Sequence, residues 1–261
     1  MEWKQRKRIA RGVYIVPSLI TSIALCLGFY SIIFTLTALK KGTTNFEPAV
    51  FALIFASVFD NLDGRIARLM KAESEFGFQF DSIADMVSFG IAPAVLAYGF
   101  ALIDLDRMGW LGAFLFLACA GIRLARFNVT SDDENSSRKY FKGMSSPVAA
   151  GGLSISMLML NKFTEGPAYS YGVLAVTVFL ALLMVSNVRF RTFKDIGFKR
   201  HRIQYFLITL AGIVSIFAFR EDALFVIFIL YLVAGLIEEL FLFKRRRKSD
   251  PSVPFLPFGD R

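Results

Sequence analysis

Apolar residues run through this chain in eight blocks separated by polar or charged intervals. The blocks are Val16 to Leu39, Pro48 to Met70, Phe78 to Ile103, Trp110 to Phe127, Pro147 to Phe163, Ala168 to Val188, Ile203 to Phe219 and Ala223 to Phe243. Each approaches the roughly 17–25 residues that a helix needs to cross a bilayer. The pattern predicts an all-α membrane protein, a bundle of eight transmembrane helices, with a short basic N-terminal segment lying along the membrane interface. The first block could be read as a signal peptide behind basic Met1 to Arg11. It exceeds the roughly 7–15 apolar residues of such a segment, however, and no small-residue cleavage site closes it, so it is expected to be retained.

Composition sharpens this picture. Of 261 residues, 55% are hydrophobic, where soluble domains use about 45–50%, and the mean hydropathy is +0.54. A net charge of +9 could point to nucleic acid, but the placement of the charges speaks against that partner. With eight spans, 25 of the Lys and Arg residues fall on one side of the membrane and 5 (Lys40, Lys41, Arg107, Lys162 and Arg220) on the other. The positive-inside bias then puts both termini and the basic loops in the cytoplasm. The basic ends also suit anionic membrane lipids. The chain reads as one membrane domain, 1–248, followed by a disordered tail, 249–261, with three prolines. Cys26 and Cys119 lie inside apolar blocks, which leaves no disulfide framework or CxxC metal site, and His201, the single histidine, reads as a solvated loop residue.

The chemistry lies in ionisable groups inside apolar blocks, which are costly there and usually mark a functional site. Asp60 and Asp63 are three residues apart in the second block, and Asp81 and Asp85 are four apart in the third, so each pair shares a helix face. A short link near residue 72 makes the two blocks an antiparallel hairpin. That sets Asp63 level with Asp81 and Asp60 level with Asp85, near the cytoplasmic end. Four clustered carboxylates must be protonated, paired or metal-bound. Oxygen-only ligands suit two hard divalent ions, Mg2+ or Mn2+, which bridge carboxylates to phosphates. A proton or cation pathway, and structural pairing with Arg65 and Arg68, are the alternatives. Gly64 and Gly77 would admit a phosphate or nucleotide close to the backbone, or serve helix packing. Arg68 could grip a phosphate bidentately.

The arrangement Asp60-x2-Asp63-Gly64-x2-Ala67-Arg68-x8-Gly77-x3-Asp81-x3-Asp85 resembles the signature of the CDP-alcohol phosphatidyltransferase family. The resemblance implies that an alcohol hydroxyl attacks the phosphatidyl phosphorus of a CDP-linked lipid and releases CMP. It implies that Asp60, Asp63 and Asp81 bind the metals, that Asp85 is a metal neighbour and the general base, and that Gly64, Ala67, Arg68 and Gly77 border the CDP moiety. Val16 to Thr21 resembles the family's Pro-Asn-x-x-Thr opening, with Ser18 where Asn is usual.

Three further segments, Arg123 to Asn128, Phe141 to Gly151 and Met184 to Phe193, are similar to the branch of the family that uses serine. This implies CDP-diacylglycerol and serine as substrates. Serine carries a carboxylate that needs a cation. Arg123, Arg126 and Asn128 stand at the end of the fourth block for that purpose, though the arginines could instead anchor topology. Ser145 and Ser146 would line the acceptor pocket or cap the fifth helix. The same chemistry on glycerol 3-phosphate or inositol phosphate is the nearest alternative, and an ion-coupled transporter a more distant one. A homodimer is compatible with this reading.

Overall fold

A chain in hydrocarbon has no water to satisfy its N–H and C=O groups, so apolar blocks close their hydrogen bonds internally as helices. The computed structural model describes residues 15–70, 72, 74–131, 140–164, 166–186, 188–191 and 220–249. Within these residues seven of the eight blocks fall on helices. The seventh block, 203–219, lies outside the described residues, as do the N-terminal segment 1–11, His201 and the tail from residue 250.

Helix α1, Ile15–Lys41, ends where Gly42 turns the chain at φ 64°. There the Thr43 N–H donates to the Ala38 carbonyl and the Gly42 N–H to that of Leu39, satisfying carbonyls that the helix end leaves open. Helix α2, Glu47–Leu69, carries Pro48 in its first turn, where a missing N–H costs nothing. Helix α3, Glu75–Asp85, is capped by Ser74, whose hydroxyl accepts the Gly77 N–H at 3.0 Å. The rod continues through a π-helical turn, Met86–Ile91, the short helix α4, Ala92–Ala97, a second π-helical turn, Tyr98–Leu102, and a 3-10 turn, Ile103–Leu105. Helix α5, Asp106–Ser131, packs back along this rod, and α6, Ser146–Phe163, α7, Pro167–Val185, and α8, Arg220–Ser249, follow.

Among the described residues, three helical stretches are long and apolar enough to cross a membrane: Pro17–Lys41, Glu75–Val129 and Pro167–Val185. The second contains 55 residues, about 80 Å if it were straight. It is instead folded into a hairpin at Asp106, which takes a positive φ of 46°. It therefore comprises the third and fourth blocks. Helix α2 falls short of the apolarity of these three because it carries the aspartates and arginines of the motif. The architecture is an all-helical membrane protein.

Small residues let the rods approach one another closely. Gly28 of α1 lies so near Ser88 that a Cβ there would stand 2.7 Å from the Ser88 Cα, and the Ser88 hydroxyl donates to the Ala24 carbonyl at 3.1 Å. The interior is built from Ala49 and Leu53, Leu96, Phe116 and Ala120, Leu153 and Met157, Val173 and Leu180, all fully buried. Large apolar side chains face outward on α1 (Leu19, Phe29, Leu36), α5 (Phe114, Ile122) and α8 (Val226, Leu230). An apolar exterior this broad is what a lipid-facing surface requires.

One element departs from the helical expectation. Tyr140–Lys142 (β1) and Arg189–Arg191 (β2) form a two-stranded antiparallel ribbon, with Phe141 opposite Phe190. Beside it the Gly143 N–H donates to the Val188 carbonyl at 2.8 Å, and the Met144 N–H to that of Leu183 at 3.2 Å. Gly143 has φ 86°, and a Cβ there would lie 2.2 Å from the Met184 carbonyl oxygen. Both the left-handed backbone and the contact exclude a side chain. Gly143→Ala is expected to lower stability by at least about 1–2 kcal/mol from the backbone conformation alone. Thermal unfolding in detergent, monitored by loss of the monodisperse chromatographic peak, would measure this.

Candidate active site

The α2–α3 hairpin brings the carboxylates together. Asp60 and Asp63 stand in the last turns of α2 and Asp81 in α3, and one carboxylate oxygen of each lies within 4.8 Å of the others. Asp63 is buried at 5% exposure. Asp85 falls outside this group of three. Its carboxyl lies against that of Asp60, one turn further along α3 and immediately before the first π-helical turn. π-helical turns inside α-helices recur at functional sites, and the apolar periodicity gave no sign of this one.

Among the described residues few groups compensate these charges, and Arg123, across from the hairpin, is the cation that faces two of them. At 4.8 Å two unit charges repel by about 3–4 kcal/mol at an effective dielectric constant near 20. The Thr21 hydroxyl donates to Asp63 Oδ2 at 2.7 Å, whereas Asp81 Oδ1 is buried without a hydrogen-bond partner among the described residues. Arg65 and Arg68 are exposed, and among the described residues no ion pair joins either to the aspartates. The structural-pairing alternative is therefore not realised. Three converging carboxylates, one of them carrying a buried oxygen without a partner among the described residues, fit a hard divalent cation. Thr21 was visible in the sequence only as part of the Val16 to Thr21 segment, and only the packing of α1 on α2 gives it a contact with Asp63.

The surroundings of Gly64 and Gly77 bear on the two uses open to them. A Cβ on Gly64 would meet only the Arg68 guanidinium, at 3.9 Å, and one on Gly77 only the Ser74 hydroxyl, at 3.1 Å. Among the described residues neither glycine is pressed against another helix. The half-buried Ala67 continues the same stretch of α2, and Arg68 next to it is exposed.

Across from the hairpin, Arg123 of α5 donates from Nη1 to the Ser146 hydroxyl at 2.8 Å and lies close enough to Asp60 and Asp85 to interact with their charge. Ser146 is fully buried. Ser145 occupies the N-cap position of α6 but makes no capping hydrogen bond with its side chain, so neither serine acts as the expected cap. Asn128 is tied to α3: its Nδ2 donates to the Ser82 hydroxyl at 3.0 Å, next to Asp81. Arg126 is half-buried one turn beyond Arg123. The segments Phe141 to Gly151 and Met184 to Phe193, far apart in sequence, meet through the ribbon and lead into Ser146.

Comparison with known proteins agrees with this geometry. The sequence profile of the CDP-alcohol phosphatidyltransferase family matches residues 14–186. A CDP-diacylglycerol--serine O-phosphatidyltransferase of Helicobacter pylori is 35% identical over 233 residues, 88% of this chain and 93% of its own. The proteins of the same name from Mycobacterium leprae and Bacillus subtilis are 32% and 37% identical, covering 81% and 58% of this chain and 69% and 78% of theirs. With the full signature lying across the α2–α3 hairpin and two thirds of the chain inside the family profile, this protein belongs to the CDP-alcohol phosphatidyltransferase family.

Proposed function

We propose that this protein transfers the phosphatidyl group of CDP-diacylglycerol to the hydroxyl of L-serine, giving phosphatidylserine and CMP. The observation that carries the reaction class is the convergence of Asp60, Asp63 and Asp81 within 4.8 Å on the hairpin that carries the whole family signature. The choice of serine rests on the similarity to relatives of that name along most of the chain.

Asp60, Asp63 and Asp81, with Asp85 as their neighbour, would hold two Mg2+ or Mn2+ ions. When bound, such ions neutralise a diphosphate and stabilise the departing CMP. Gly64, Ala67, Arg68 and Gly77 border the CDP moiety, with the Arg68 guanidinium free to reach a phosphate. The serine hydroxyl oxygen attacks the phosphatidyl phosphorus, the bond from phosphorus to the oxygen of CMP breaks, and Asp85 takes the hydroxyl proton. Arg123 and Arg126 supply cations for the serine carboxylate, Arg123 being the one already facing the aspartates. Asn128, Ser145 and Ser146 shape that side of the pocket. The site's place at membrane level would limit the water that competes for the activated lipid.

The same reading places eight spans in a bacterial cytoplasmic membrane, with 1–248 as one domain, both termini and the site opening cytoplasmic, and homodimerisation allowed. Reporter fusions at Arg261 and at Lys40 are expected to report opposite sides of the membrane. Identical reports would remove the eight-span topology. For the activity, purified protein is mixed with CDP-diacylglycerol, Mn2+ and labelled serine, and CMP and a labelled lipid are expected together. Turnover of glycerol 3-phosphate without turnover of serine would overturn the acceptor.

A further inference from the structure

Helix α8 lies beyond residue 186, where the family profile ends, and yet it docks onto the helix that carries Ser146. Its register against α6 is set at two points. Lys162 Nζ pairs with Asp222 Oδ1 at 3.0 Å. Further along, the buried Phe228 ring covers Gly152 so closely that a Cβ there would stand 2.2 Å from ring carbons Cε2 and Cζ. The two helices run antiparallel from these contacts, so each step along α8 moves back along α6 toward Ser146. Tyr231 is three residues beyond Phe228, on the same face and about 4.5 Å further along the axis. It therefore stands level with Ala149, one turn from Ser146. Tyr231 is half-buried against the core, and its phenol and the Arg123 guanidinium are near enough to interact electrostatically.

A guanidinium has five donors in a rigid fork, and one hydroxyl such as that of Ser146 leaves its orientation under-determined. We infer that Tyr231 is a positioning residue, supplied by a helix outside the family profile, that together with Ser146 orients Arg123 toward Asp60 and Asp85. Phe228 seated on Gly152 and the Lys162–Asp222 pair hold α8 at the height that makes this approach. The inference rests on the reading of the carboxylate cluster as the active site. A phosphatidyltransferase reduced to the segment covered by the profile would lack this support for its arginine.

The test is a double-mutant cycle on the full-length enzyme in mixed micelles with CDP-diacylglycerol and Mn2+, comparing Tyr231→Phe, Arg123→Lys and the double variant. Val226→Ala, at an exposed position of the same helix, serves as a control for packing. Tyr231→Phe is expected to raise the serine KM about tenfold, the effect of losing one interaction with a charged group, with the CDP-diacylglycerol KM unchanged. The double variant is expected to be no worse than Arg123→Lys alone. Wild-type constants for Tyr231→Phe, effects that multiply in the double variant, or the same rise in KM from Val226→Ala would each overturn the inference. If Arg123→Lys and Tyr231→Phe both lower kcat instead and remain non-additive, the positioning role stands and the assignment of Arg123 to the serine carboxylate falls.

Discussion

Asp81→Asn is expected to abolish metal-dependent binding of CDP-diacylglycerol while making the metal-free protein more stable. The two effects have one cause. Asp81 contributes one of three carboxylate oxygens within 4.8 Å of each other, and its Oδ1 is buried with no hydrogen-bond partner among the described residues. Without a cation, each like-charged pair at that separation costs about 3–4 kcal/mol at an effective dielectric constant near 20. Replacing one carboxylate by the isosteric amide removes two of the three repulsions. With a cation, the same oxygens become ligands, and binding at 100 times the dissociation constant would stabilise the fold by about 2.7 kcal/mol. The expected record is a rise in Tm in EDTA for Asp81→Asn, together with loss of the upward Tm shift that Mn2+ gives the unaltered protein. Calorimetric titration with CDP-diacylglycerol in Mn2+ should show no heat of specific binding. A variant that keeps the Mn2+-induced shift would remove Asp81 from the metal site. A Tm in EDTA below that of the unaltered protein would mean that the cluster is held by interactions other than a cation.

The second large effect separates binding from chemistry. Asp85→Asn is expected to lower kcat by about 10²–10⁴, the usual worth of general base catalysis, with CDP-diacylglycerol affinity retained. Asp85 lies outside the group of three oxygens, against Asp60 and near Arg123, on the side where an incoming hydroxyl would meet both a proton acceptor and a cation for its carboxylate. The amide preserves shape and removes the acceptor. Affinity and turnover are measured for Asp85→Asn and Asp81→Asn in the same detergent. Near-normal turnover in Asp85→Asn would move the base elsewhere. Loss of metal-dependent binding as complete as in Asp81→Asn would make Asp85 chiefly a ligand.

Much of this was legible in the chain itself, for reasons of range. Helix periodicity is local, so Asp60 with Asp63 and Asp81 with Asp85 were bound to share faces, and the short link between α2 and α3 left the two faces little choice but to meet. The apolar blocks could be placed within a few residues because backbone hydrogen bonding in lipid permits little besides helix. The hairpin turn at Asp106 falls in the polar interval between the third and fourth blocks, whereas the π-helical turn after Asp85 was not legible, since it depends on how the apolar rod is pressed by α1 and α5 rather than on a residue signal of its own.

The sequence by itself determined the helical membrane architecture and the convergence of the carboxylates, because both follow from spacings of a few residues. The tertiary structure alone decided which side chains from elsewhere reach that cluster. Thr21 bonds Asp63 because α1 lies along α2, Arg123 rather than a solvent-facing cation meets Asp60 and Asp85, and Ser146 receives its guanidinium instead of capping α6. The ribbon joins residues 140–142 to 189–191, and α8 brings Tyr231 near Arg123. These contacts span 23 to about 110 residues of chain. No local pattern encodes a pairing at that range, because it is set by which helix faces pack together, and in a bundle of uniformly apolar rods that choice rests on the fit of small residues such as Gly28 and Gly152 against their neighbours.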